Sequence, residues 1–149
     1  LAYRLSGTFC TDMSDASGML LMDVKNRCWS KEMLDICGLE QEQLPKLYES
    51  YEVVGTLKPE VAKELGVSEN VKVIAGAGDN AAAAVGTGVV KDGRAFTTIG
   101  TSGVVFAHSK NVTIDPKGRV HTFCCAVPGC WHVMGVTQGA GPFSSVVPQ

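Results

Sequence analysis

An α/β fold is what this sequence of 149 residues predicts, and three observations predict it. A short β-branched run, Val71 to Ala75, stops at Gly76 and Gly78 and gives way to an alanine-rich stretch, so a strand turns a corner into a helix. The first 70 residues carry 7 Lys and Arg against 12 Asp and Glu with 5 glycines, whereas the remainder carries 6 against 3 with 12 glycines. From Gly93 onward the hydrophobic period shortens to two. An acidic, helix-rich first part and a glycine-rich second part of strands and turns are therefore expected, with Lys91-Asp92-Gly93 as the boundary.

The elements follow in order. LAYRLSG reads as the tail of a helix closed by Gly7, so the chain is expected to start in mid-element. In TDMSDASGMLLMDV, Thr11, Asp12, Ser14 and Asp15 offer caps for a short helix over the apolar stretch Met19 to Val24. Ser30 caps a second helix through Cys37, with Met33, Leu34 and Cys37 on one face, Gly38 as its stop and Trp29 stapling its start. Val53 and Val54 read as a strand or an extended segment. Pro59 in a first turn and Gly66 beyond Leu65 bracket a further helix. Val71 to Ala75 then feeds Asp79, and the four alanines from Ala81 to Ala84 give a helix little bulk and high propensity. Alternation in AFTTIGTSGVVFAHS and GRVHTFCCAVPGCWHVMGVT, with turns at Lys117-Gly118 and Pro128-Gly129, describes an antiparallel meander. VTQGAGPFSSVVPQ leads into an unfinished helix.

Composition narrows the function. A hydrophobic fraction of 45% suffices for a core, and a net charge of −2 without a basic cluster gives no support for nucleic-acid binding. No apolar run reaches the roughly 18 residues of a membrane span, and no charged-then-apolar leader opens the sequence, so a cytoplasmic protein is expected. Cys10, Cys28, Cys37, Cys124, Cys125 and Cys130 contain no C-x-x-C pair and read as free buried thiols. His108, His121 and His132 lack zinc-finger spacing and read as surface or strand positions.

Two short motifs carry the chemistry. Asp79 sits at a strand-to-helix corner, where a helix N-terminus favours the ionised carboxylate; it is either a helix cap or a reactive group. Gly100-Thr101-Ser102-Gly103 is a small-residue turn whose amides and hydroxyls suit a phosphate, although a tight hairpin favours the same residues.

TDMSDASGMLLMDVKNRCWSKEMLDICGL, VIAGAGDNAAAAVGTG, IGTSGVVF and HTFCCAVPGCWHVMGV, in this order and at these distances, resemble the FGGY family of carbohydrate kinases. The resemblance implies an actin-like, ribonuclease H-like ATPase fold in part: the second half of the first lobe and the opening three antiparallel strands of the second. Residues 1–90 would belong to the sugar-binding N-terminal domain and 91–149 to the nucleotide-binding C-terminal domain. It implies transfer of the ATP γ-phosphoryl group to a ketopentose, D-xylulose first, with Asp79 as general base and Asn80 against the sugar. Gly100, Thr101, Ser102 and Gly103 would face the nucleotide phosphates, with Mg²⁺ serving the complete enzyme. The family's first phosphate loop and adenosine motif have no counterpart here, so the chain reads as an internal piece that is inactive alone. Exposed sheet edges imply a homo-oligomer.

Two rivals remain at this point. Gly76-Ala77-Gly78-Asp79-Asn80-Ala81 fits the dinucleotide fingerprint, but Asp79 would point a negative charge at the pyrophosphate and a hairpin follows where a parallel strand belongs. In the other, the chain is a binding or scaffold module and Asp79 only a cap.

Overall fold

The computed structural model describes residues 1–141 and divides into two compact units, Leu1–Gly78 and the residues from Asp79 onward. Within the first unit, α1 (Ala2–Ser6) ends on Gly7 in the left-handed region, as its sequence predicts. Strand β1 (Cys10–Asp12) runs into the four-residue helix α2 (Met13–Ala16), which Asp12 caps by accepting the Ser14 and Asp15 amides. A 3-10 turn over Ser17–Met19 follows.

The apolar stretch after it is not the expected helix. Leu20 takes a left-handed φ of 62°, and Met22–Asp23 (β2) pairs with Cys28–Trp29 (β3) as a hairpin. Asp23 and Asn26 make that turn, Asp23 Oδ1 accepting the Asn26 amide at 2.9 Å and its carbonyl accepting the Arg27 amide at 2.8 Å. Turn residues inside DVKNR thus override the apolar run.

Helix α3 (Lys31–Cys37) runs from the Ser30 cap to Gly38 as expected, and Trp29 is buried with Nε1 donating to the Pro45 carbonyl at 3.0 Å. Of the face predicted for it, Leu34 is buried, Met33 is half-buried and Cys37 is exposed. Strand β4 (Lys46–Tyr48) has no local sequence signal, because its pairing with β1 is parallel and distant in sequence. Strand β5 (Val53–Thr56), helix α4 (Pro59–Leu65) and strand β6 (Lys72–Ile74) complete the unit, β5 and β6 antiparallel. Val54, Leu57, Ala62 and Val73 form its core, with Leu5, Cys10 and Tyr48 packed against them.

The second unit opens with α5 (Asp79–Gly86), whose Ala81 and Ala84 are buried while Ala82 and Ala83 face outward. Four strands follow: β7 (Ala95–Ile99), β8 (Gly103–Ser109), β9 (His121–Cys124) and β10 (Trp131–Thr137). Their spatial order is β7-β8-β10-β9, with every neighbouring pair antiparallel. This corrects the meander, and also the count of three strands. All seven residues of β10 pair with β8, whereas β9 pairs over only four, so the longer ladder takes the central position. Residues 110–120 are long enough to carry the chain past it to the outer edge. No parallel strand follows α5 among the described residues, which removes the βαβ context that a dinucleotide fingerprint needs.

Phe106, fully buried, stacks between Phe96 at 4.8 Å and His132 at 4.1 Å. His132 faces His108 across the central ladder. Both rings are buried, and among the described residues neither ring nitrogen of His108 nor Nε2 of His132 has a hydrogen-bond partner. No cysteine pair is bridged among the described residues, but Cys28 and Cys37 are exposed, against the expectation of buried thiols throughout. Among the described residues no helix is long and apolar enough to cross a membrane. The helix expected within the final PFSSVVPQ lies outside the described residues.

Burial, reinforced by the neighbouring His108, pushes the His132 pKa down from 6.5 to about 4. The unfolded chain takes up a proton below pH 6.5 that the folded unit refuses until about pH 4. Stability is therefore complete above pH 6.5 and is lost as the pH falls from 6.5 through about 4, by at most about 3 kcal/mol. Denaturant midpoints measured from pH 7.5 to 4 are expected to show this acid limb, at roughly those values, and His132→Phe to flatten it.

Candidate active site

The segment between β6 and α5 is tied into the first unit by its backbone amides. After β6, the Ala75 amide donates to the Glu52 carbonyl at 3.0 Å and the Gly76 amide to the Ser50 carbonyl at 3.0 Å. The Gly78 amide donates to Ser14 Oγ at 2.9 Å. Gly76 lies at φ 83°, a conformation that side chains with a Cβ rarely adopt, so a glycine is required where the strand turns away. The chain then enters α5 at Asp79.

Asp79 is exposed, and its Oδ1 accepts two hydrogen bonds from Asn80, from the backbone amide at 2.7 Å and from Nδ2 at 3.2 Å. The helix N-cap arrangement, in which a side chain reaches an amide two or three residues on, is not the one formed. Asn80 instead steers the carboxylate, and among the described residues no donor reaches Oδ2. One oxygen is thus engaged by Asn80, on an exposed residue.

Gly100, Thr101 and Ser102 connect β7 to β8, closing on the Ile99–Gly103 pair. Gly100 donates its amide to the Ser102 carbonyl at 2.8 Å, and the Thr101 carbonyl accepts the Ala140 amide at 3.0 Å. Thr101 and Ser102 are exposed, and among the described residues neither their amides nor their hydroxyls have a hydrogen-bond partner. Such a turn presents unspent donors to an anion. Gly103 is different in kind: it is buried, and a Cβ there would lie 2.9 Å from Thr137 Cγ2 and 3.0 Å from Ala140 Cβ. Asp79 with Asn80 and the Gly100–Gly103 turn thus form two separate groups, one on α5 and one on a hairpin.

Asp12 and Ser14, expected as helix caps, also join Ser50 in a buried hydrogen-bonded cluster of the first unit. Asp12 is 4% exposed, and its carboxylate accepts from the Ser14 amide at 2.8 Å, Ser14 Oγ at 2.5 Å, Ser50 Oγ at 3.1 Å and the Asp15 amide at 3.4 Å. Ser50 stands 38 residues away and carries no local signal. A cleft of about 440 Å³ elsewhere in the first unit, lined by Arg27, Trp29, Leu44, Pro45 and Lys46 among others, includes none of these residues. Another of about 370 Å³ in the second unit, bordered by Thr98, Val105, Arg119 and Thr137, reaches Gly103 alone of the turn. Among the described residues no three His, Cys, Asp or Glu side chains converge on a possible cation position.

Comparison with known proteins gives this geometry a family. The model of the N-terminal domain of the FGGY family of carbohydrate kinases matches residues 1–86, more than half of the chain. The chain belongs to the FGGY family of carbohydrate kinases. It is 49% identical over 140 residues to the xylulose kinase of Escherichia coli (strain K12), covering 94% of this chain and 29% of that protein. The crystal structure of a xyloylose kinase from Brucella ovis matches with a TM-score of 0.89 at 45% identity, over 93% of this chain and 28% of that one. A gluconate kinase structure from Lactobacillus acidophilus also matches with a TM-score of 0.89, at 28% identity over 99% of this chain and 30% of that one. This FGGY chain is thus a homologue of xylulose kinases that spans about 29% of the length of the curated relatives it matches, with the α/β fold of the matching FGGY structures.

The turn and the segment after β10 approach closely. A Cβ at Gly141 would stand 2.5 Å from the Gly100 carbonyl oxygen, a contact that only backbone movement relieves. Gly141→Ala is expected to destabilise the FGGY chain by about 1–3 kcal/mol in denaturant unfolding. Gly135→Ala, on β10 with nothing within 4 Å of the new Cβ, is expected to stay within about 0.5 kcal/mol of the parent.

Proposed function

We propose that the protein to which this chain belongs transfers the γ-phosphoryl group of ATP to a hydroxyl of a ketopentose, D-xylulose first. Asp79 is the general base. The observation that carries this reading is its carboxylate on the first turn of α5, exposed, with Oδ1 held by Asn80 and Oδ2 open to a donor. Phosphoryl transfer passes through a loose transition state, so positioning and charge stabilisation matter more than base strength. Oδ2 takes the hydroxyl proton as the sugar oxygen forms its bond to phosphorus and the bond to the departing ADP oxygen breaks. Asn80 lies beside the sugar and keeps the carboxylate turned.

The Gly100–Gly103 turn faces the nucleotide phosphates. Support comes from the exposed amides and hydroxyls of Thr101 and Ser102, while the packed Gly103 keeps the backbone close. Mg²⁺, when bound with the nucleotide, would supply positive charge to its phosphates, and no residue of this chain is assigned to it. In this reading residues 1–90 are the later part of a sugar-binding lobe and 91–149 the start of a nucleotide-binding lobe. The outer strands leave Ile99 72% exposed on β7, an edge on which a second copy can pair.

In the full-length kinase, Asp79→Asn is expected to lower kcat on the order of 10²- to 10⁴-fold without changing the unfolding midpoint. Unchanged turnover in a coupled ADP-release assay with several ketoses would refute the base and favour a purely structural Asp79. Joint replacement of Thr101 and Ser102 by alanine is expected to raise KM for ATP by up to about tenfold while KM for the sugar holds.

A further inference from the structure

Within the first unit, two buried serine hydroxyls meet on one oxygen of a buried carboxylate. Ser14 Oγ and Ser50 Oγ both donate to Asp12 Oδ2, and Asp12, Ser14 and Ser50 are 4%, 6% and 7% exposed. A hydroxyl has a single proton. With that proton committed to Asp12, Ser14 Oγ turns a lone pair outward, and that lone pair accepts the Gly78 amide at 2.9 Å. Ser50 is tied in the same direction, its hydroxyl to Asp12 and its carbonyl to the Gly76 amide at 3.0 Å. Two alternate amides of the glycine segment therefore end on serines that one carboxylate orients.

Capping does not account for this. The cap of α2 consists of the bonds from Asp12 to the Ser14 and Asp15 amides, and it requires neither hydroxyl. Burying a carboxylate is costly unless its oxygens are met by donors, and a four-residue helix is a small return on that cost. What the arrangement does supply is a fixed position for the backbone of Gly76 to Gly78, and Gly78 is bonded to Asp79.

We propose that Asp12, Ser14 and Ser50 are positioning residues for phosphoryl transfer: through the Gly76 and Gly78 amides they hold the backbone from which α5 projects the Asp79 carboxylate. The inference rests on the reading of Asp79 as general base. A misplacement of the reacting groups by about 1 Å costs on the order of 10²-fold in rate, which is the scale on which two hydrogen-bonded ties matter.

The test uses the full-length kinase. Ser14→Ala is expected to lower kcat on the order of 10²-fold, leaving KM for sugar and for ATP within about twofold, and Ser14→Thr, which restores the hydroxyl, to recover most of the loss. In the Asp79→Asn background Ser14→Ala is expected to cost nothing further, because the group it positions is gone. Wild-type kcat in Ser14→Ala beside an inactive Asp79→Asn overturns the positioning and leaves the base. Wild-type turnover by Asp79→Asn overturns both, and a full additional loss in the double variant assigns Ser14 an independent role and overturns the positioning. If Ser14→Ala does not fold, Ser50→Ala, which likewise leaves the α2 cap bonds in place, is judged by the same readings. Amide exchange on the unmodified kinase adds an independent arm: slow exchange at Gly76 and Gly78 is expected, and exchange at the unprotected rate overturns the proposal.

Discussion

The burial of one carboxylate organises the first unit. Asp12 ends β1, and among the described residues β1 pairs with β4 alone, through three residues. Such a short parallel pair fixes little by itself. With Asp12 in place, however, the strand end, the Ser50 loop after β4 and the glycine segment after β6 share one hydrogen-bonded centre. Each of these would otherwise leave buried polar groups unmet, at about 1–3 kcal/mol apiece. The hydrophobic core of Val54, Leu57, Ala62 and Val73 holds β5, α4 and β6 together, and the polar centre decides where β6 lets go.

The second unit is organised by packing rather than polarity. Small side chains let α5 lie close: Ala84 shares a core with Val89, Phe106 and Cys125. Phe106 is the centre of that core, with Phe96 on one side and the neutral His132 ring on the other. A histidine used as an aromatic surface is cheap at neutral pH and expensive in acid, because its charged form has no water to meet it.

How much of this was legible follows physical lines. Local signals are legible: Gly7, Ser30, Gly38, Pro59 and Gly66 act within a few residues of themselves, and α1, α3 and α4 stop or start where these residues place them. Competition between signals is less legible. Met19 to Val24 is apolar enough for a helix, but Asp23 and Asn26 turn the chain first. Strand order and the Ser50 contact were not legible, since both depend on partners far away in sequence and leave no period or motif. Asp79 is legible from its corner, whereas the bonds from Asn80 that take the place of a cap depend on a rotamer that no sequence pattern encodes. Cys28 and Cys37 show the limit of residue type as a guide to burial, since both lie at the surface.

The placement of β9 sets a hierarchy of opening within the second unit. Four residue pairs and the 110–120 connection hold it, against seven pairs between β8 and β10, so β9 detaches at lower free energy than the ladder beside it. Detachment strips cover from Cys124 and Cys125, which are otherwise sealed, while β8 and β10 stay joined. The rate at which a thiol reagent labels those two cysteines is thus a clock for sub-global fluctuation, and the already exposed Cys28 and Cys37 supply its internal zero.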